Sequence, residues 1–161
     1  MDKSEGQRKL EEYVDMTMAE NSGIYKDLIN GLMRAEKVSC SYEDKTITFA
    51  VRVQPWQVNR AGHLHGGMMC TAFDMTMGVL VRFLAGKNFT PTVSLDVKYI
   101  RPVKEGDVMF VTVKAVSAGR RITHLICESR SKNTGKLLAS GAGVFMNVDT
   151  EKEKQKRPED V

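Results

Sequence analysis

The spacing of apolar positions changes twice along this chain, and the changes divide it into elements. Over residues 4–21, Leu10, Tyr13, Val14, Met16 and Met18 recur at the spacing of one helical face among strong helix formers. Asn21-Ser22-Gly23 then breaks the pattern. A short second helix is predicted over 24–31. From there the period falls to two, with a strand over 34–42, an acidic turn at Glu43-Asp44-Lys45 and a strand over 46–53. In that strand Ile47, Phe49, Val51 and Val53 alternate with Thr46, Thr48 and Arg52. After a loop over 54–65 comes a long apolar run to about Leu84, which reads as a buried helix closed by Ala85-Gly86-Lys87-Asn88. Period two then returns over 92–99, 107–117, 120–131 and 136–148, with turns at Gly119 and at Asn133-Thr134-Gly135.

Short turns imply antiparallel neighbours. One strongly apolar helix beside strands with a single apolar face implies an α+β arrangement in which the sheet curls around that helix. The expected organisation is one domain over 1–149, with 1–31 as its N-terminal helical segment. Residues 150–161 are charged, lack an apolar pattern and are expected to be a disordered tail. With 161 residues, 42% hydrophobic and 27% charged, the chain can bury a core without staples. Its net charge of +4 and pI near 9.0 favour an anionic ligand but are too weak to indicate nucleic acid. Cys40, Cys70 and Cys127 are widely spaced and form no Cys-x-x-Cys pair. With a charged N-terminus, that predicts reduced thiols and a cytoplasmic location. Thr71, Asp74, Thr76 and Arg82 interrupt the apolar run, so no membrane association is expected.

Candidate chemistry concentrates at that run. Asp74 is a lone carboxylate among apolar and small residues, and a lone acid is expensive to bury without compensation. His65-Gly66-Gly67 stands where the helix should begin, and glycines there leave backbone N–H groups open to an approaching oxygen. Together they suggest a base and a carbonyl-polarising helix end carried by one element. The plainer alternatives are a solvent-facing helix Asp and a tight loop-to-helix turn. His63-x-His65 is a conceivable metal pair, but His124 is the only other histidine and no cysteine cluster exists, so no metal is assigned.

These residues resemble the hotdog-fold acyl-CoA thioesterases of the phenylacetate-pathway (PaaI-like) group. The likeness rests on Asn59-x-x-Gly62-x-Leu64-His65-Gly66-Gly67, on Asp74, on Ser94-x-Asp96-Val97-x-Tyr99-x-Arg101-Pro102, on Gly106-Asp107, and on the hairpin from Asn133 to Gly141. It covers roughly residues 39–148. The resemblance implies a five- or six-stranded antiparallel sheet around a central helix, and a dimer joining two sheets edge to edge, often paired again into a tetramer. It also implies active sites at the dimer interface, with the helix start from one subunit and the acid from the other. No metal or redox cofactor is implied; coenzyme A enters as part of the substrate.

Residue by residue, the resemblance makes Asp74 a general base or nucleophile and the Gly66-Gly67 helix start the carbonyl-polarising group. His65 is given an orienting role. Asn59 falls at an amide position that would hold water or the carbonyl oxygen; otherwise it is a loop residue fixing a turn. The hydroxyl accompanying the acid falls at Thr92; Ser94, two residues on, is its alternative for orienting water and a candidate for substrate binding. Strict alternation would set both opposite Val93 and Leu95, so a bulge or an interface position is needed. Tyr99, Arg101, Lys104 and the turn Ser117, Gly119, Arg120, Arg121 are the candidates for holding CoA phosphates and pantetheine. Met68, Met69, Phe73, Met75 and Met77 are either an acyl pocket or plain core.

The reading is a homo-oligomeric acyl-CoA thioesterase. Its rivals are a non-catalytic acyl-CoA-binding or regulatory module on the same fold, and a hydratase or dehydratase, which would need a different acid–His pairing.

Overall fold

A computed structural model describes residues 2–86 and 88–148 of the chain; Lys87 of the helix stop and the charged tail lie outside the described residues. The elements run α1 (Lys3–Ser22), α2 (Ile29–Leu32), β1 (Glu36–Ser41), β2 (Thr46–Arg52), a 3-10 turn (Pro55–Gln57), α3 (Gly66–Leu84), β3 (Thr92–Tyr99), β4 (Val108–Ala118), β5 (Ile122–Ser131) and β6 (Leu137–Met146). The six strands form one antiparallel sheet in the order β1-β2-β4-β5-β6-β3. The strand that follows the long helix therefore sits at the far edge, beside β6.

The period-two pattern explains which face meets α3. Ile47, Phe49 and Val51 of β2, Met109, Val111 and Val113 of β4, and Leu125 and Cys127 of β5 are buried against Phe73, Met77 and Leu80 of the helix. Burial pushes the Cys127 thiol up to about 12, so it stays a neutral packing group. Met69, Phe73, Met75 and Met77 are buried in this core, which favours the plain-core reading of the helix methionines; only Met68 is half-buried. By length and composition α3 could cross a membrane, but half of it is buried within the sheet.

Two glycines on β6 set how closely the helix approaches. A Cβ on Gly143 would meet Met77 Sδ at 2.5 Å. A Cβ on Gly141 would meet the Asp96 carbonyl oxygen at 2.5 Å, with Phe73 and Cys127 each at 3.2 Å. The Asp96 carbonyl belongs to the paired β3 backbone and cannot step aside cheaply. Gly141→Ala is therefore expected to destabilise the fold by about 1–3 kcal/mol, read as a lowered urea midpoint with unchanged slope.

Three expectations need correction. The helix predicted over 24–31 is reduced to Ile29–Leu32, with turns over 23–27 and a bend at Leu28. Ile24, Tyr25 and Leu28 have helical spacing, but all three are exposed, so no packing supports the helix. Met16, assigned to the buried face of α1, is also exposed; Leu10 and Val14 carry that face. Strand β1 starts at Glu36 because Arg34 adopts a left-handed φ of 47°, which ends the turn before it.

Candidate active site

The loop before α3 is built on polar side chains turned inward. Gln57 is buried; its Oε1 accepts from Gln54 N–H at 2.9 Å and its backbone carbonyl accepts from His65 N–H at 2.8 Å. This anchor had no signal in the pattern, since Gln57 is a polar residue in a polar loop. Further along, Asn59 Oδ1 accepts from Ala61 N–H at 2.9 Å and from His63 N–H at 3.3 Å. Two N–H donors can face only the amide oxygen, so the Asn59 NH2 is turned the other way. It meets no acceptor among the described residues. The turn-fixing role of Asn59 is therefore carried by its oxygen alone.

His65 is the N-cap of α3. Its Nδ1 accepts from Gly67 N–H at 3.0 Å, which places the ring proton on Nε2. Its carbonyl accepts from Met68 N–H at 2.9 Å and Met69 N–H at 3.3 Å. Of the two glycine amides expected to be open, Gly67 is therefore occupied by the cap. Among the described residues no acceptor meets Gly66 N–H, which is the free donor at this helix end. The Tyr99 hydroxyl donates to the Gly66 carbonyl at 3.0 Å and lies 3.1 Å from Cys70 Sγ. A cleft of about 500 Å³ opens here, lined by Asn59, Gly66, Gly67, Met69, Tyr99 and Arg101 among others. Arg101 donates through Nη1 to the Leu137 carbonyl at 2.6 Å, and Lys104 stands in the adjoining turn, bridged to His63.

Asp74 lies elsewhere. It is eight residues along α3 from Gly66, about 12 Å of helix rise. The Thr92 hydroxyl donates to Asp74 Oδ1 at 2.7 Å. The alternation problem at Thr92 is resolved by a bulge: Thr92 pairs with Phe145 but Ser94 with Val144, so Val93 is an extra residue. Thr92 consequently shares the inward face with Leu95 and Val97. Ser94 falls on the outer face with Asp96 and Lys98, away from Asp74, which removes it as an acid partner.

Gly119, Arg120 and Arg121 form the exposed β4–β5 turn, and Ser117 sits just before it on β4, paired with His124. Asn147 N–H donates to the Arg121 carbonyl at 2.7 Å, and Met146 N–H donates to the Pro91 carbonyl at 3.0 Å. The basic turn therefore belongs to the Thr92–Asp74 end of the sheet. Two half-constellations result, one at each end of β3: Asn59, Gly66, Tyr99 and Arg101 at one, and Asp74, Thr92, Arg120 and Arg121 at the other.

A helix held by a curled six-stranded antiparallel sheet, with this loop at its start, matches known proteins. The thioesterase superfamily profile matches residues 61–137. The match spans a little under half of the chain, and the fold is a hotdog. A Caenorhabditis elegans protein named as a candidate esterase is 36% identical over 89 residues, covering 55% of this chain and 53% of that one. Mouse acyl-coenzyme A thioesterase 13 is 28% identical over 93 residues, covering 56% and 65%. The chain thus spans between about half and two thirds of the length of these curated relatives. Among solved structures, zebra fish thioesterase superfamily member 2 aligns with a TM-score of 0.74 at 20% identity, covering 83% of this chain and 97% of that one. The E. coli PaaI protein aligns with 0.73 at 15% identity, covering 89% and 96%. These two likenesses are of fold, and they place the hotdog among PaaI-like structural neighbours.

Proposed function

We propose that this hotdog hydrolyses acyl-CoA thioesters at sites each assembled from two copies of the chain. The observation that carries the reading is the separation of the two half-constellations. A carbonyl-polarising amide must lie within about 3 Å of the thioester oxygen, and a general base within about 3 Å of the water that attacks its carbon. In a single chain they are held about 12 Å apart along the helix. Strand β3, eight residues from Thr92 to Tyr99 and about 23 Å end to end, is an unpaired edge among the described residues. Antiparallel pairing of that edge with its own copy about a two-fold axis sets the Tyr99 end of one chain beside the Thr92 end of the other. Gly66 and Asn59 of one copy would then face Asp74 of the partner, twice over.

In that site the thioester carbonyl oxygen accepts from Gly66 N–H and the Asn59 NH2, which stabilise the developing oxyanion. Thr92 holds one carboxylate oxygen of Asp74, leaving the other to take a proton from water. The water oxygen forms the new bond to the carbonyl carbon, and the C–S bond then breaks. The thiolate of CoA leaves and takes up the proton. Arg120 and Arg121 at the Asp74 end, with Arg101 at the Gly66 end, suit the CoA phosphates. The name of mouse acyl-coenzyme A thioesterase 13 supports the substrate class. A dimer of such dimers is an extension of the same proposal.

The test is release of free thiol, trapped by a dye, from a panel of aryl and aliphatic acyl-CoAs. Saturable turnover on at least one is expected. Saturable CoA binding with no turnover on any substrate would replace the hydrolase with a binding module.

A further inference from the structure

We propose that Tyr99 is a positioning residue for the carbonyl-polarising amide of Gly66, acting through the Gly66–Gly67 peptide, and is not a contact for CoA. This rests on the thioesterase reading for its catalytic consequence, but its structural half stands on the free protein. Gly66 and Gly67 have no Cβ, so the peptide between them is the one in α3 most able to swing. It is pinned at both ends. Its carbonyl oxygen accepts from the Tyr99 hydroxyl at 3.0 Å, and its N–H donates to His65 Nδ1 at 3.0 Å.

The preceding peptide is held as well, because the His65 carbonyl accepts from Met68 and Met69 N–H. Both planes flanking Gly66 are thereby fixed, and one polar group of the four is left over: Gly66 N–H. The clamp also explains why glycine stands there. A Cβ on Gly66 would lie 3.2 Å from the Tyr99 oxygen and 3.3–3.4 Å from its ring, so the phenol would have to give by a few tenths of an ångström.

The hydroxyl has a single hydrogen, and the Gly66 carbonyl takes it. Cys70, at 3.1 Å, must then be the donor towards the phenol oxygen. With one donated and one accepted bond inside the chain, the hydroxyl has little left for a ligand.

The experiment compares wild type with Tyr99→Phe, which keeps the ring over Gly66 and removes only the hydroxyl. In the free protein, NMR amide exchange should show Gly67 N–H protected in wild type and exchanging faster in the variant, with an unchanged melting temperature. With an acyl-CoA substrate, kcat should fall by about tenfold while KM stays within about twofold, as expected for a misplaced donor. His65→Ala, which releases the other end of the same peptide, should move both readouts the same way. His65→Asn, able to cap Gly67 through its amide oxygen, should restore them in part. A raised KM with unchanged kcat would make Tyr99 a CoA contact and overturn the proposal, and so would unaltered Gly67 exchange. If wild type turns over no thioester, the thioesterase reading fails while the exchange measurement still decides the clamp.

Discussion

Asp74→Asn and Asp74→Ala should each lower kcat for acyl-CoA hydrolysis by about a thousandfold, within the range set by removing a general base. Stopped assays at saturating substrate would measure this. Asn is the sharper variant, since it keeps the shape of the side chain and can still meet Thr92 while being unable to take a proton. Neither change should cost the fold much. Asp74 is half-buried on the one stripe of α3 that the sheet leaves open, and its structural loss is a single hydrogen bond, about 1 kcal/mol. KM should change little, because the groups assigned to the CoA phosphates are other residues. Turnover that survives both substitutions would remove Asp74 from the mechanism.

The second large effect tests how the site is divided. Gly66→Pro deletes the free N–H at the first position of α3, whose backbone suits proline, and its Cβ also crowds Tyr99 at 3.2 Å, so both changes fall on the same half of the site. The variant should be nearly inactive, as should Asp74→Asn. Co-expressed, the two should recover about a quarter of wild-type activity. Half of randomly paired dimers are mixed, and each mixed dimer has one intact site out of two. The gain over either parent should be at least about twentyfold, since the parents lack a base or a polarising donor. If acid and amide act within one chain, mixing restores nothing.

The sequence made the strands legible because their inward residues alternate without exception on β2, β4 and β5. The long helix was legible because its polar positions are so few. The segment at 24–31 misled because helical spacing of apolar residues says nothing about whether a surface exists to bury them. At the site, Asp74 and its loop could be found from residue types and spacing. The division of labour between the two glycines could not, because it depends on which nitrogen of His65 faces the helix. Gln57 and Cys70 escaped for a related reason: each acts through one contact to a backbone group or a distant strand. The bulge at Val93 was legible only as a demand, since Thr92 could not otherwise reach the inward face.

That bulge has a further consequence, for what else can attach to the chain. An exposed edge eight residues long, with Val93, Tyr99 and the neighbouring Phe89 open to solvent, is the kind of template on which extended peptides stack indiscriminately. An extra residue near its start kinks and twists the strand, spoiling the straight ladder that an arbitrary segment would need. A partner with the same irregularity, met in the opposite direction, is not excluded in this way. One inserted valine thus acts as a guard on solubility as well as an aim for a hydroxyl.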